Sequence, residues 1–493
     1  MINIPSVKLG IVAVSRDCFP IDLSQSRRAD VVKACQKQGF EIVEIKATVE
    51  NESDAMQALQ EIRDNEVNAL VVFLGNFGPE GPETMLAQQF GGPVMFIAAA
   101  EENIGVLSSR RGDALCGMLN ASYNLQLRGV KAYIPEYPVC DAEQTADEIK
   151  QFIPIARALI GVSKLKIISF GPRPYDFLAC NAPIAPLFKL GINVQENSEL
   201  DLFAAFNEHK DDARIAEVVA DMEKELGDGN NMPGILPKLA QLEITLLDWI
   251  EANKGASEYV ALANKCWPAF QTQFGCVPCY VNSRLTARGI PVGCEVDIYG
   301  ALSEYIGLCL TEDAVTLLDI NNSVPFEMYQ KSIEKQTKYD AQEVFMGFHC
   351  GNTPMCKLTK GEMKYQLIMH RGLEAGKEPD ITRGTLEGDI IPGEITFYRL
   401  QGNKDSVLKS YVAHGEVLPV ATESFGGIGV FAIPEMGRFY RHVLVEDGYP
   451  HHGAVAFGHV GKALFSVLKL LGVETVSFNQ PKGMLYKSEN PFA

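Results

Sequence analysis

A few residues of this chain have the types and settings to do chemistry. The stretch GYPHHGAVAFGH, residues 448–459, holds three of the eight histidines: His451, His452 and His459. Two are neighbours behind a proline, in a glycine-bracketed apolar segment. Glu295 lies in the apolar run GIPVGCEVDIYGAL, Asp319 follows two leucines in TLLDINN, and His349 stands at the foot of an apolar segment in GFHCGNTP. Burying a lone carboxylate is costly, so each needs a cation, a set of hydrogen bonds or a metal. Carboxylates combined with imidazole suit Mn²⁺, Mg²⁺, Fe²⁺ or Zn²⁺. Each residue also has a plainer reading: a strand-end cap for Asp319, a helix N-terminal acid for Glu295, a satisfied core histidine for His349.

CVPC (Cys276, Cys279) has the spacing used for zinc or redox work. There is no second such pair. The following CYVNSRL reads as a strand rather than the helix start a thioredoxin-type site needs, so structural thiols are expected.

The elements that must hold these residues follow from hydrophobic patterning. KLGIVAVS, FEIVEIKA, NALVVFLG and PVMFIAAA are strand-like runs separated by helical patterns, which indicates a parallel, doubly wound sheet. A long helix, DAEQTADEIKQFIPIARALIGV, closes this part. KLKIISFG opens a second α/β region. There SEYVALANKCWPAFQTQFG and IYGALSEYIGLCL read as helices and AVTLLDINN as a strand. After about residue 350, GEITFYRL, SVLKSYVAHGEVLP and IGVFAI have the alternation of antiparallel strands. HHGAVAFGHVGKALFSVLKLLGV reads as a helix and ETVSFN as a closing strand. The expected domains are 1–165, 166–350 and 351–493. Polar segments at strand ends, Ser15–Asp17, Gly75–Gly81 and Gly171–Asp176, match neither the dinucleotide fingerprint nor the phosphate loop, so no nucleotide cofactor is expected.

With 46% hydrophobic and 22% charged residues, the 493-residue chain is an ordinary globular protein. A net charge of −18 disfavours nucleic acid and anionic membranes as partners. The start has no basic and apolar leader, and no apolar run approaches membrane-spanning length. A soluble, cytoplasmic protein is expected, with its twelve cysteines reduced.

CWPAFQTQFGCVPC, GIPVGCEVDIYGALSEYI, TLLDINN, FHCGNTP and GYPHHGAVAFG together resemble the L-fucose isomerase / L-arabinose isomerase family, on its fucose-isomerase-like branch. The resemblance implies two doubly wound α/β domains followed by a C-terminal β-barrel-like domain. It also implies a divalent metal, Mn²⁺ with Mg²⁺ or Co²⁺ as alternatives, and aldose–ketose isomerisation through an enediol. By motif, the metal ligands fall on Glu295, Asp319 and His452, with the two carboxylates also carrying protons. The spacing 319 − 295 = 24 agrees with the fucose branch.

Gln271 matches a substrate-contacting glutamine. Arg16 matches a basic residue that enters the site from a neighbouring subunit, so a homo-oligomer, a hexamer, is implied. His349 and Asn352 are expected on sugar hydroxyls, and His451 behind His452 and near the substrate. L-Fucose, D-arabinose and sulfoquinovose are the candidate aldoses. The competing class is a non-catalytic sugar-binding or regulatory protein, whose carboxylates would simply hydrogen-bond hydroxyls.

Overall fold

The structure is a computed structural model that describes residues 3–492. Pro5–Ile160 form one compact unit, and the chain from Gly161 onward, joined by Asn3 and Ile4, forms the other.

In the first unit, strands β1 (Leu9–Val14), β2 (Val43–Val49), β3 (Ala69–Leu74), β4 (Val94–Ala99) and β5 (Val139–Cys140) lie parallel in the order β2-β1-β3-β4-β5. Every residue of β1, β3 and β4 is buried, which is why they read as unbroken apolar runs. The intervening helices follow local signals. Helix Glu52–Asp64 starts at Asn51, whose side chain accepts from the Ser53 and Asp54 N–H groups while Asp54 accepts from the Asn51 N–H, a reciprocal cap. The strand order reverses between β1 and β3, where ligands of such sheets sit.

The second unit begins with another parallel sheet, β6 (Leu165–Phe170), β7 (Asn193–Asn197), β8 (Tyr259–Asn264) and β9 (Val292–Cys294), ordered β7-β6-β8-β9. The expected helix over SEYVALANKCWPAFQTQFG is here corrected, because Tyr259–Asn264 is a central strand. A short apolar run buried on both faces carries no period that separates strand from helix. Conversely, CYVNSRL is not a strand. Cys279–Ala287 is a helix, buried from Cys279 to Thr286. Two of its polar residues are paired internally: Asn282 with Asn264 at 2.9 Å, and Arg284 with Glu243 at 2.6 Å. No solvent face remained to reveal the helical period.

The antiparallel part comprises β10 (Thr316–Ser323), β11 (Val344–His349), β12 (Glu362–Tyr365), β13 (Arg383–Asp389), β14 (Gly393–Gly402), β15 (Leu408–Leu418), β16 (Gly427–Ala432), β17 (His452–Phe457) and β18 (Thr475–Phe478). Six of them close a ring through antiparallel pairings: β16-β11-β10-β17-β14-β15 and back to β16. This is the expected barrel. It begins at residue 316 rather than 351, since β10 and β11 are two of its staves. Phe345 fills the interior against Phe431, rings 5.5 Å apart, and Phe397, 5.9 Å apart. The expected C-terminal helix is corrected in its first half: His452–Phe457 is β17, and the helix runs only over Gly461–Leu471.

Helix Ile298–Thr311 is buried from Ile298 to Leu310, packing on β8 and β9 and also on β14 and β17. One core runs from the second sheet into the barrel, through Leu262, Phe270, Leu318 and Phe397. No helix among the described residues is long and apolar enough to cross a membrane.

Candidate metal and substrate site

Glu295 follows β9 at the carboxyl end of the second parallel sheet, the edge where such sheets present ligands. Its φ is 51° and that of Val296 is 61°. The left-handed region is unfavourable for a valine, so local strain is held at this turn. Asp297 then caps the helix, its Oδ1 accepting from the Gly300 N–H at 2.8 Å. The helix-capping acid is therefore Asp297, and Glu295 is free for another task.

Asp319 is interior to β10, and the β10–β17 ladder sets it directly opposite His452. Directly opposed residues share a face of the sheet. Nε2 of His452 lies 3.3 Å from Asp319 Oδ1 and 3.3 Å from Glu295 Oε2. Both carboxylate atoms are buried without a hydrogen-bond partner, so these approaches are not directed hydrogen bonds. Adjacent ligands on a small octahedral dication stand about 3 Å apart. Each carboxylate oxygen stands at about that spacing from Nε2, and His452 is common to two clusters able to hold a cation, Glu295 with His349 and His452, and Asp319 with His451 and His452. Burial pushes both carboxyls up, but the His452 and His349 imidazoles outweigh it and hold Glu295 and Asp319 below their ordinary values.

His452 is fixed from its other side. Its Nδ1 lies 2.8 Å from Asp297 Oδ2, and Arg399 grips both oxygens of Asp297 at 2.7 and 2.9 Å. Burial opposes a charge on His452, but Cys180 and the Asp297 and Asp319 carboxylates lift its imidazole well above the ordinary value; a cation held at Nε2 would take the place of the extra proton. A carboxylate only accepts, so Nδ1 carries the hydrogen and directs Nε2 toward Glu295 and Asp319. Sequence reasoning missed Asp297 and Arg399. Both had a signal: Asp297 precedes a helix start, and Arg399 is a charge inside the apolar strand run FYRLQ.

His349 ends β11, buried, with Nε2 3.8 Å from Glu295 Oε2. Nε2 has no hydrogen-bond partner, so this is not a satisfied core histidine. His451 does not sit behind His452, where it was expected, because Asp297 occupies that place. His451 lies beside it, its side chain 36% exposed, with Nε2 3.7 Å from Asp319 Oδ1 and its ring edge-on to Phe177 at 5.3 Å.

Gln271, in the single turn Phe270–Phe274, donates to the Cys266 carbonyl at 3.0 Å. The Cys266 thiol in turn donates to Glu295 Oε1 at 3.5 Å. Gln271 Oε1 and Asn352 Oδ1 are buried and unpartnered. Arg16 belongs to the N-terminal unit. Its backbone N–H donates to Asn76 Oδ1 at 3.2 Å, and its guanidinium lies 4.8 Å from the Phe77 ring. Cys276 and Cys279 are free and buried, and burial pushes the Cys276 thiol up to about 12. That disfavours the thiolate that zinc or redox chemistry requires.

The chain is similar to known isomerases. The family model "Fucose/sulfoquinovose isomerase, N-terminal domain" matches residues 10–163, and "L-fucose isomerase, C-terminal domain" matches residues 347–479. Sulfoquinovose isomerases of Priestia aryabhattai and Priestia megaterium are each 23% identical over 94% of this chain and 97% of their own length. A third, from a Clostridium species, is 27% identical over 46% of this chain and 45% of its own. Glu295 and Asp319 lie between the two matched regions, and His452 lies inside the second.

Proposed function

This chain belongs to the fucose/sulfoquinovose isomerase family and is a sugar isomerase, and from that premise we propose that it interconverts an aldose and its ketose with Glu295, Asp319 and His452 holding a divalent metal. The observation that carries this reading is the cross-strand pair of Asp319 and His452, closed by Glu295, with two unpartnered buried carboxylate oxygens turned to one imidazole nitrogen. When bound, Mn²⁺, or Mg²⁺ or Co²⁺ in its place, supplies Lewis-acid stabilisation of the negative charge that develops on the sugar oxygens.

The rest is done by the chain's own residues. A carboxylate, Glu295 or Asp319, takes the proton from C2 of the aldose, giving an enediol, and a proton is returned to C1. The hydroxyl proton passes from O2 to O1, so no atom is gained or lost. Gln271 Oε1 and Asn352 Oδ1 accept from sugar hydroxyls, and His451 faces the substrate from the more exposed side. A non-catalytic sugar-binding role is not retained, because the matched families are isomerases.

Of the candidate aldoses we favour sulfoquinovose, on the activity named for the relatives that align with nearly the whole chain. We further place the enzyme in the cytoplasm, where its twelve free cysteines stay reduced. Its working form is a homo-oligomer, a hexamer, in which Arg16 completes the site of a neighbouring copy. The test is isomerisation of sulfoquinovose, L-fucose and D-arabinose by chelator-treated protein before and after Mn²⁺ is restored. Loss and recovery of sulfoquinovose turnover is expected. Full turnover in metal-free protein, checked by elemental analysis, rejects the metal reading, and turnover of another aldose alone rejects the substrate.

A further inference from the structure

His349 and His452 stand side by side, ring centres 5.8 Å apart, and both turn Nε2 toward Glu295. Their nitrogens also lie close enough to Glu295 for one ion to take all three. The two rings nonetheless carry their hydrogens on opposite atoms. His452 Nδ1 faces an acceptor-only carboxylate, so it bears the hydrogen and Nε2 keeps a lone pair. His349 Nδ1 instead accepts the backbone N–H of Cys350 at 2.8 Å. A nitrogen that accepts a hydrogen bond bears no hydrogen, so on His349 the hydrogen is on Nε2.

That arrangement is locked by the backbone. Gly351 has φ +133°, and a Cβ there would come within 2.1 Å of Thr385 Oγ1 and 2.6 Å of the Leu386 carbonyl oxygen. Thr385 Oγ1 also donates to the Cys350 carbonyl. The backbone beside the Cys350 N–H is thus packed closely at Gly351 and tied to β13 by the Thr385 bond.

From this geometry we infer that His349 is a catalytic hydrogen-bond donor and not a metal ligand: its Nε2–H serves the sugar oxygen that gains negative charge. The inference rests on the isomerase reading of the same site. Glu295 Oε2, Asp319 Oδ1, Gln271 Oε1 and Asn352 Oδ1 are unpartnered buried atoms that can only accept. Those suit a cation and sugar hydroxyls. The carbonyl oxygen is the one atom of the reacting group with no hydrogen to offer, and it needs a donor. His349 supplies it from a buried, fixed position, which is the condition under which such a donor lowers a barrier. The hydrogen stays on Nε2 throughout, so the proton balance between C2 and C1 is unaltered.

The test compares His349→Ala and His349→Gln with His452→Ala, reading Mn²⁺ affinity by paramagnetic resonance and, separately, sulfoquinovose kinetics. Both His349 variants are expected to bind Mn²⁺ like the parent, whereas His452→Ala loses it. In His349→Ala, kcat should fall about 10²–10³-fold, as when one donor to a developing oxyanion is removed, with little change in KM. His349→Gln retains an N–H and should recover part of that loss. If His349→Ala loses Mn²⁺ as His452→Ala does, the residue is a ligand and the inference falls. It falls too if KM alone rises while kcat holds. A parent enzyme that isomerises without metal would instead reject the metal assignment, and the kcat comparison would still judge His349.

Discussion

Asp297 Oδ2 lies 2.8 Å from Nδ1 of His452, while the opposite ring nitrogen faces Glu295 and Asp319 at 3.3 Å each. One carboxylate thus ties together the helix cap, the buried Arg399 and the aim of the imidazole. Asp297→Asn keeps the shape but removes the charge. Mn²⁺ affinity should fall about 10–100-fold, as for other partners of a ligating histidine. Stability should drop by about 3–5 kcal/mol, because Arg399 is left as a buried charge without its anion. Titration with Mn²⁺ and denaturant unfolding check the two effects. An unchanged affinity would show that His452 needs no such support.

The paired histidines are separable. The ladder places His452 opposite Asp319, while His451 lies outside the strand and partly in solvent. His452→Ala should empty the metal site. His451→Ala should keep the metal and lose about 10–100-fold in turnover, the scale of an outer partner. Metal content and turnover of both variants, purified in one Mn²⁺ buffer, decide it. A metal-free His451→Ala with metal retained in His452→Ala would move the ligand by one residue.

Much of this was legible because charge inside an apolar run is rare. Glu295, Asp319 and His349 stood out on that ground, and the structure brings them together with His452. Asp297 and Arg399 gave the same signal, but they satisfy each other, and mutual pairing is visible only in three dimensions. The inner strands β1, β3 and β4 of the first sheet were readable from unbroken apolar runs. β8, β17 and helix Cys279–Ala287 were misread for one reason: elements buried all round show neither period. The closure of the barrel through the β10–β17 and β11–β16 pairings depends on partners far apart in sequence, which no local pattern encodes.

Away from the site, Glu374 provides a pH test. It accepts from the backbone N–H groups of Asp380, Ile381 and Thr382 at 2.8, 3.0 and 3.2 Å. Burial alone would raise its carboxyl, but the Thr382 hydroxyl and the backbone donors outweigh it and bring the pKa from 4.5 to about 2. A depressed folded-state value means stability that is fully present above pH 4.5 and lost as pH falls toward 2. Glu374→Gln should therefore destabilise the protein at neutral pH, by about 1–3 kcal/mol for the disturbed buried bonds. The difference from the parent should shrink across that acid window. Unfolding free energies at several pH values check this, and a constant difference would contradict it.

Arg16 tests the shared site. It follows β1 at the carboxyl edge of the first sheet, with its side chain 40% exposed, whereas Glu295 and Asp319 belong to the second unit. If a neighbouring copy supplies Arg16, then Arg16→Ala and Glu295→Gln should each be nearly inactive alone. Co-assembled from equal amounts, about a quarter of the sites should pair an intact Arg16 with an intact Glu295, because each comes independently from one of two chain types in a symmetric oligomer. Turnover should rise accordingly above either parent variant. If both residues came from one chain, every site would carry a defect and mixing would recover nothing. Light scattering on the same samples must show an oligomer, and an active monomer would refute the exchange of Arg16.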